Sequence, residues 1–210
     1  MSRMRVFIAG LLVAGALSAL MAASASALSW KVEKKELAAK STEAFKEVTT
    51  LSKAAKFAGD GIEVSCSKLA AKKGFIEGPT GGAAEALVFT ACTVPGFGVQ
   101  CEVEKGEVKT KEVTAKLEAG VKITFAPKSS EEFTTLKIIN KEPEICEVGG
   151  NYKVTGAVTG NAPNAASELK EQALAFTTTS GSTMKIGGKA GTFTGEMQLA
   201  LASLKTWGAT

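Results

Sequence analysis

The stretch Ile62-Glu63-Val64-Ser65-Cys66 indicates the fold of this 210-residue chain most clearly. Apolar and polar residues alternate, and a period of two places every apolar side chain on one face of an extended strand. A second apolar run, residues 87–92, also ends at a cysteine, and the turn cluster Gly78-Pro79-Thr80-Gly81-Gly82 lies midway between the two runs. The pattern predicts an antiparallel hairpin in which Cys66 faces Cys92.

The same alternation continues to the end of the chain, interrupted by breaks that contain Gly or Pro. About nine or ten short strands rich in Thr and Val are expected. They predict one all-β domain, an antiparallel β-sandwich or barrel. The alternating residues are Leu87 and Phe89, Val99 and Val103, Val121, Ile123 and Phe125, Leu136 and Ile138, Tyr152, Val154 and Val158, Leu174 and Phe176, Met184 and Ile186, and Phe193, Met197, Leu199 and Leu201, with breaks at Gly81-Gly82, Gly149-Gly150, Ala162-Pro163-Asn164 and Gly187-Gly188.

The chain has four cysteines, Cys66, Cys92, Cys101 and Cys146, and none are spaced as in a C-x-x-C motif. An even number in an exported chain predicts two structural disulfides. The hairpin favours Cys66–Cys92, which leaves Cys101 for Cys146. The alternative pairs Cys92 with Cys101 across a Pro-Gly turn and Cys66 with Cys146.

Residues 1–27 have the pattern of a cleavable secretory signal peptide, expected as a helix. A positive start precedes an apolar stretch, and small residues precede the expected cut between Ala27 and Leu28. A retained membrane anchor is the alternative. A secreted all-β domain over residues 28–210 is therefore expected, outside the cell or in its envelope. The supporting features are Arg3 and Arg5, the apolar run 6–23 and Ala25-Ser26-Ala27.

The ionisable side chains of residues 28–210 exclude many chemistries. This part contains no His, no Arg and a single Asp, Asp60. Without His there is no Ser-His-Asp or Cys-His mechanism and no imidazole metal ligand, and without Arg there is no bidentate phosphate clamp. One Asp cannot form an Asp-rich calcium loop. No catalytic residue, metal site or cofactor is expected.

The balance of charged residues indicates which classes of binding partner are expected. The formal net charge of +4 falls by two when Arg3 and Arg5 are removed, and Lys and Glu are interspersed. Because there is no basic run, neither nucleic acid nor a membrane surface is an expected partner, beyond the membrane crossed in export. The expected partner is an extracellular protein or a polysaccharide, and the oligomeric state stays open.

Three groups of residues are candidate functional sites. A carboxylate pair for glycoside hydrolysis would come from Glu102 and Glu104, alternating on one strand, or from the cluster Glu142, Glu144 and Glu147 around Cys146, although Lys-balanced surface strands explain them better. A Ser-Lys dyad from Ser65 or Ser67 with Lys68 rests on spacing alone. Trp30 and Trp207, near the two ends, would either form a sugar-stacking platform or, as we favour, close the core where the first and last strands meet.

Residues 29–57 are rich in helix formers, and on propensity alone they predict a helix. The chain, however, resembles small secreted proteins of actinobacteria that have no established activity. The resemblance implies export, an all-β fold and mostly strand over residues 29–57, and it transfers no functional residue. It is carried by Ser29-Trp30-Lys31-Val32, Ile62-Glu63-Val64-Ser65-Cys66, Val88-Phe89-Thr90-Ala91-Cys92-Thr93, Cys101, Phe125-Ala126-Pro127, Cys146, Tyr152-Lys153-Val154-Thr155-Gly156-Ala157-Val158-Thr159-Gly160, Ala190-Gly191-Thr192-Phe193-Thr194-Gly195-Glu196 and Trp207-Gly208-Ala209.

These observations predict a secreted or cell-envelope protein that binds or builds rather than catalyses, with an unknown ligand. One alternative is a carrier of an apolar ligand, if the strands close around a cavity large enough to hold it. A second is a Glu-dependent glycoside hydrolase, if two carboxyl groups face each other in a groove. A third is a toxin-like or immunity-type partner protein, which no sequence feature favours or opposes.

Overall fold

The computed structural model describes residues 28–97, 100–141, 146–162, 164–177 and 183–210. The signal-peptide prediction for residues 1–27 lies outside these ranges. The described residues confirm an all-β fold, whose only helical elements are the 3₁₀ helices Glu104–Gly106 and Ala165–Ser167. The strands are β1 Trp30–Val32, β2 Lys35–Glu36, β3 Thr42–Ala44, β4 Val48–Gly59, β5 Ile62–Lys72, β6 Phe75–Glu77, β7 Gly81–Ala84, β8 Ala86–Thr93, β9 Cys101–Val103, β10 Glu107–Lys109, β11 Val113–Glu118, β12 Lys122–Pro127, β13 Glu132–Asn140, β14 Gly150–Thr155, β15 Val158–Asn161, β16 Glu171–Phe176, β17 Lys185–Ile186, β18 Lys189–Ala200 and β19 Trp207–Ala209.

The strand segments outnumber the nine or ten expected because several long strands bend and change partners. Thus β3 and β4, β5 and β6, and β7 and β8 are three consecutive pairs, each interrupted by only a few residues. Between β5 and β6, Lys73 adopts φ 48°, and the Lys73 ammonium forms an ion pair with Glu85, which lies between β7 and β8. Each bent pair therefore contributes to two regions of the sheet.

The strands form two closed circuits that share β18, and every pairing between strands is antiparallel. The first circuit runs through β10, β8, β5, β4, β18, β17, β14 and β13. It closes because the Lys111 amide donates to the Phe133 carbonyl over 2.9 Å and the Thr134 hydroxyl donates to the Lys109 carbonyl over 2.7 Å.

The second circuit runs through β18, β16, β15, β12, β11, β7, β6 and β3. It closes through a bridge between Phe45 and Leu201 and through hydrogen bonds of 2.8 Å from Lys46 to Ala200 and from Ala202 to Ala44. Closure leaves few open strand edges, which would otherwise invite pairing with other chains. The predicted sandwich-or-barrel class is therefore confirmed.

One continuous core fills the interiors of both circuits. Phe57, Phe89 and Phe193 pack together in the first circuit, with ring centroids 4.8 to 5.8 Å apart. Phe193 also lies 5.0 Å from Phe176, which is 6.0 Å from Phe125 in the second circuit. Since aromatic rings bury more area than other side chains, this row anchors the packing in a chain with few aromatics.

Two disulfides connect the strands as the first pairing predicted. Cys66 and Cys92 are direct cross-strand partners on β5 and β8, with Cα atoms 4.0 Å apart. Cys101 at the start of β9 is bonded to Cys146, with Cα atoms 5.3 Å apart. All four cysteines are buried. Two disulfides indicate an oxidising environment outside the cytoplasm.

Two local predictions had different outcomes. Residues 29–57 are mostly strand, as expected, in β1 to β4. The predicted break at Gly81-Gly82 is wrong, because both glycines belong to β7 and the turn precedes them. A Cβ at Gly82 would lie 2.7 Å from the Phe75 carbonyl oxygen, so glycine lets β6 and β7 approach closely and does not end the strand.

The two ends of the described chain meet in a separate three-stranded sheet, here called the terminal sheet, with the order β19-β1-β2. Trp30 is opposite Ala209, and the Trp30 and Trp207 rings are 6.1 Å apart and buried. The Trp30 indole donates to the Gly81 carbonyl over 2.7 Å. The prediction that these tryptophans close the core where the first and last strands meet is confirmed.

Candidate functional site

The carboxylate pair considered for glycoside hydrolysis is dispersed in the structure. Glu102 lies on β9, but Glu104 begins the 3₁₀ helix that follows, so the two do not alternate along one strand as predicted. Glu102 forms an ion pair with Lys141 over 2.6 Å, and Glu104 forms one with Lys137 over 3.2 Å. Two half-exposed carboxylates, each paired with its own lysine, are typical of surface charge balance.

The described members of the other candidate groups are exposed or partly exposed. Ser67 and Lys68 are exposed on β5, and Ser65 is partly exposed there, with its carbonyl accepting a 3.5 Å hydrogen bond from the Thr93 hydroxyl. Glu147 is exposed. Glu142 and Glu144 lie outside the described residues. No catalytic arrangement is formed by the described members of these groups.

A groove does form where the first circuit closes, and we call it the seam groove. Here β10 and β13 lie side by side, joined near Lys109 and Lys111, but no strand pairing links them. An open depression of about 470 Å³ lies at this junction, beside the 3₁₀ helix Glu104–Gly106. Its lining is polar: Glu104, Lys105, Glu107, Lys109, Thr110, Lys111, Glu132, Thr135 and Lys137.

Three lysines of the seam groove have no carboxylate partner within the described part of the chain: Lys105, Lys109 and Lys111. Lys105 is held in the left-handed region at φ 57°, an uncommon conformation for a residue other than glycine. The Thr135 hydroxyl donates to the Glu132 carboxylate over 2.9 Å, so this acid is oriented within the groove. The seam groove thus offers ammonium donors, a hydroxyl and carboxylate acceptors.

The sequence does not reveal this groove, because its two walls come from strands separated along the chain. Glu107 and Lys109 alternate with Val108 on β10, and Thr135 and Lys137 flank Leu136 on β13, as on any half-buried strand. What brings the two polar faces together is the closure of the circuit. The one local signal is the isolated Gly106 after Lys105. It indicates a turn, but it does not indicate which strand lies beside that turn.

A second groove, of about 430 Å³, lies where β18 changes partners from β17 to β16. Buried Phe176 lines it, together with Lys53, Lys56 and Glu196. The Ser52 hydroxyl donates to Glu196 over 2.8 Å and Lys53 pairs with the same carboxylate over 3.1 Å. The hydrogen bond from Ser52 and then the one from Lys53 lower the pKa of Glu196, which keeps it ionised and unsuited to act as a general acid.

An apolar cavity beneath Phe45, Leu87, Phe125 and Met197 has a volume of only about 20 Å³. Ligand sites usually occupy about 300–1,000 Å³. This cavity is therefore too small to hold an apolar ligand.

No protein-family model, curated protein or solved structure matches the chain. The resemblance to secreted actinobacterial proteins stays a prediction. No helix in the described ranges is long and apolar enough to cross a membrane. Those ranges also contain no group of three His, Cys, Asp or Glu side chains placed to hold a metal ion.

Proposed function

We propose that this protein is an exported, disulfide-stabilised binding or structural protein without catalytic activity, which works outside the cell or in its envelope. One observation carries the proposal: no charged side chain is buried among the described residues. Enzymes that work with Glu or Lys shift the pKa of these groups by burial and by fixed neighbours. Here the carboxylates lie at the surface, and several are balanced by lysine.

The seam groove is the proposed binding surface. Its unpaired lysines and oriented carboxylate would form hydrogen bonds with hydroxyl, carboxylate or phosphate groups, all of which occur on extracellular polysaccharides. A large apolar anchor, typical of tight protein interfaces, is missing from the residues that line it. These features favour a polar polymer over a hydrophobic protein partner.

Two of the three alternatives, the carrier and the hydrolase, have weaker support. A carrier of an apolar ligand would need a larger cavity than the apolar one of about 20 Å³ beneath Phe45 and Phe125. A glycoside hydrolase would need an acid with a raised pKa opposite a second carboxylate. The carboxylates Glu102 and Glu104 instead point to separate lysine partners, Lys141 and Lys137.

The test is retention of the purified, labelled protein on native cell-wall and secreted polysaccharide fractions. The groove variant carries Lys105→Gln, Lys109→Gln and Lys111→Gln. Loss of even one charge-assisted hydrogen bond, about 1.5–3 kcal/mol, should weaken binding roughly tenfold or more.

The matched control removes the same charge from exposed strand lysines elsewhere, with Lys116→Gln, Lys122→Gln and Lys153→Gln. Equal weakening by both triple variants would show that only net charge matters and that the groove is not the site. Hydrolysis of any polysaccharide by the native protein, with release of reducing ends, would refute the non-catalytic proposal.

A further inference from the structure

The terminal sheet joins residues that are almost the full length of the described chain apart. β1 pairs with the nearby β2 on one side and with β19 on the other. The Thr210 amide donates to the Ser29 carbonyl over 3.1 Å, and the hydroxyls of these two residues are 3.3 Å apart. The first strand therefore lacks one of its two neighbours until the last residues of the chain are in place.

The two circuits do not depend on the terminal sheet. All their strands lie between β3 and β18, and the second circuit closes through Phe45 and Leu201 without β1, β2 or β19. The terminal sheet instead docks on a surface that the circuits provide. Trp207 contacts Phe45 with ring centroids 5.2 Å apart, its indole donates to the Leu199 carbonyl over 3.3 Å, and the Gln172 amide donates to the Trp207 carbonyl over 2.6 Å.

We propose that the terminal sheet is a latch that closes last, and that its closure buries the residues just after the signal peptide. Joining two distant segments costs less entropy once the intervening chain is already folded. The order of events rests on the proposed export, since a chain that leaves the cell amino end first delivers β19 last. Until then Ser29, which is 3 % exposed in the closed latch, lacks its pairing with Thr210, and Trp30 is held by its hydrogen bonds to the Pro79 and Gly81 carbonyls.

With this order, residues 1–27 are removed before the latch closes. Proteases cut accessible, extended chain, and positions that are paired and buried resist them. The expected cut between Ala27 and Leu28 is one residue away from Ser29, whose carbonyl is paired with Thr210. The closed latch would therefore protect an uncut precursor.

The latch itself is tested with Gly208→Ala, because a Cβ at Gly208 would overlap the Ala165 carbonyl oxygen. The protein is expressed as the full 210-residue chain, and amide hydrogen exchange is followed by mass spectrometry. Amides of residues 30–36 and 207–209 should exchange about a hundredfold faster, while β5 and β8 keep their protection. Gly81→Ala is the control, since the nearest atom to its Cβ, the Glu77 carbonyl oxygen, is at an ordinary 3.5 Å.

A second variant ends the chain after Thr206 and removes β19 entirely. If exchange rises across both circuits in this variant, the terminal sheet is part of one cooperative unit and the latch is refuted. Unchanged protection of residues 30–36 would refute it as well. Faster exchange confined to the chain ends supports it.

The order of events is tested on the uncut, refolded precursor with purified signal peptidase. Cleavage after Ala27 should be at least tenfold slower in the complete precursor than in the form that ends at Thr206, and equal rates would overturn the order. If neither precursor is cut even when it is diluted from urea and presented unfolded to the peptidase, the cleavable signal peptide on which this order rests is wrong instead. That failure is distinguishable, because the exchange experiment does not depend on export.

Discussion

Phe193 on β18 and Phe176 on β16 pack edge to face, with ring centroids 5.0 Å apart, and join the cores of the two circuits. Phe193 also contacts Phe57 and Phe89. It therefore occupies the centre of the aromatic row. One side chain supports both circuits because β18 belongs to both.

Replacement of Phe193 by Ala should lower the free energy of unfolding by about 3–5 kcal/mol, since a buried ring is lost and a cavity remains. Urea unfolding followed by circular dichroism measures this. Ile139→Ala is the control, because Ile139 is 42 % exposed and should change stability by no more than about 0.5 kcal/mol. Equal effects of the two variants would contradict the central place of Phe193.

Removal of the Cys101–Cys146 disulfide by double Ser substitution should cost about 2–4 kcal/mol, because the bond restricts the unfolded chain. The two cysteines are 45 residues apart, against 26 for Cys66 and Cys92. The free energies of unfolding of two double Ser variants, one for each disulfide, show how much each bond contributes to stability. Native protein should show no titratable thiol, and a reactive thiol before unfolding would argue against the pairing.

Gln172 is fully buried beneath β19, and its Oε1 atom has no hydrogen-bond partner among the described residues. Gln172→Glu would place a carboxylate there, and a buried unpaired charge is strongly unfavourable. The variant should lose at least about 3 kcal/mol at pH 7 and recover part of it near pH 4, where the carboxyl group is protonated. Thermal unfolding at the two pH values tests this, with partly exposed Gln100 as the site of a control substitution to Glu. A loss that does not depend on pH would contradict this account of Gln172→Glu.

The pair Lys73–Glu85 at the bend of the long strands predicts a two-sided pH dependence of stability. The hydrogen bond and the charge of Lys73 lower the pKa of Glu85, and the same contacts raise the pKa of Lys73. The contribution of Glu85 is present above its unfolded pKa, about 4.3, and is lost as the pH falls through the lower folded value. That of Lys73 is present below about 10.4 and is lost as the pH rises through the higher folded value.

Glu85→Gln should therefore flatten the acid limb of a plot of melting temperature against pH. The effect is expected to be small, because both groups are exposed at the surface. Glu171→Gln, at an exposed residue that forms no ion pair within the described chain, is the control. An unchanged acid limb in the Glu85 variant would show that this pair does not contribute.

Much of the fold was predictable because its rules are local. The alternation in Ile62-Glu63-Val64-Ser65-Cys66 predicted β5, and the symmetry of the hairpin about the 78–82 turn cluster predicted that Cys66 meets Cys92. The role of the two tryptophans in the core also followed from their positions near the chain ends. The prediction that Gly81 and Gly82 break the strand was wrong, because a glycine that permits close packing has the same local sequence pattern as one that ends a strand.

The candidate site was not predictable in the same way. The sequence offered Glu102 with Glu104, which share no contact, and it gave no sign that Lys109 and Thr135 line one groove. Pairing between distant strands depends on which edges remain free after the local hairpins have formed. That choice is made by the packing of the whole sheet.

Residue type and spacing alone specify the period-two strands, the even number of cysteines and the lack of imidazole and guanidinium chemistry in residues 28–210. Three features appear only in the folded chain: the strands close into two circuits that share β18, the seam groove opens between β10 and β13, and β1 pairs with β19. These two sets of features differ in the distance along the chain over which their causes act. Side-chain alternation and turn chemistry act over a few residues, whereas closure and docking depend on surfaces that exist only after distant segments have packed.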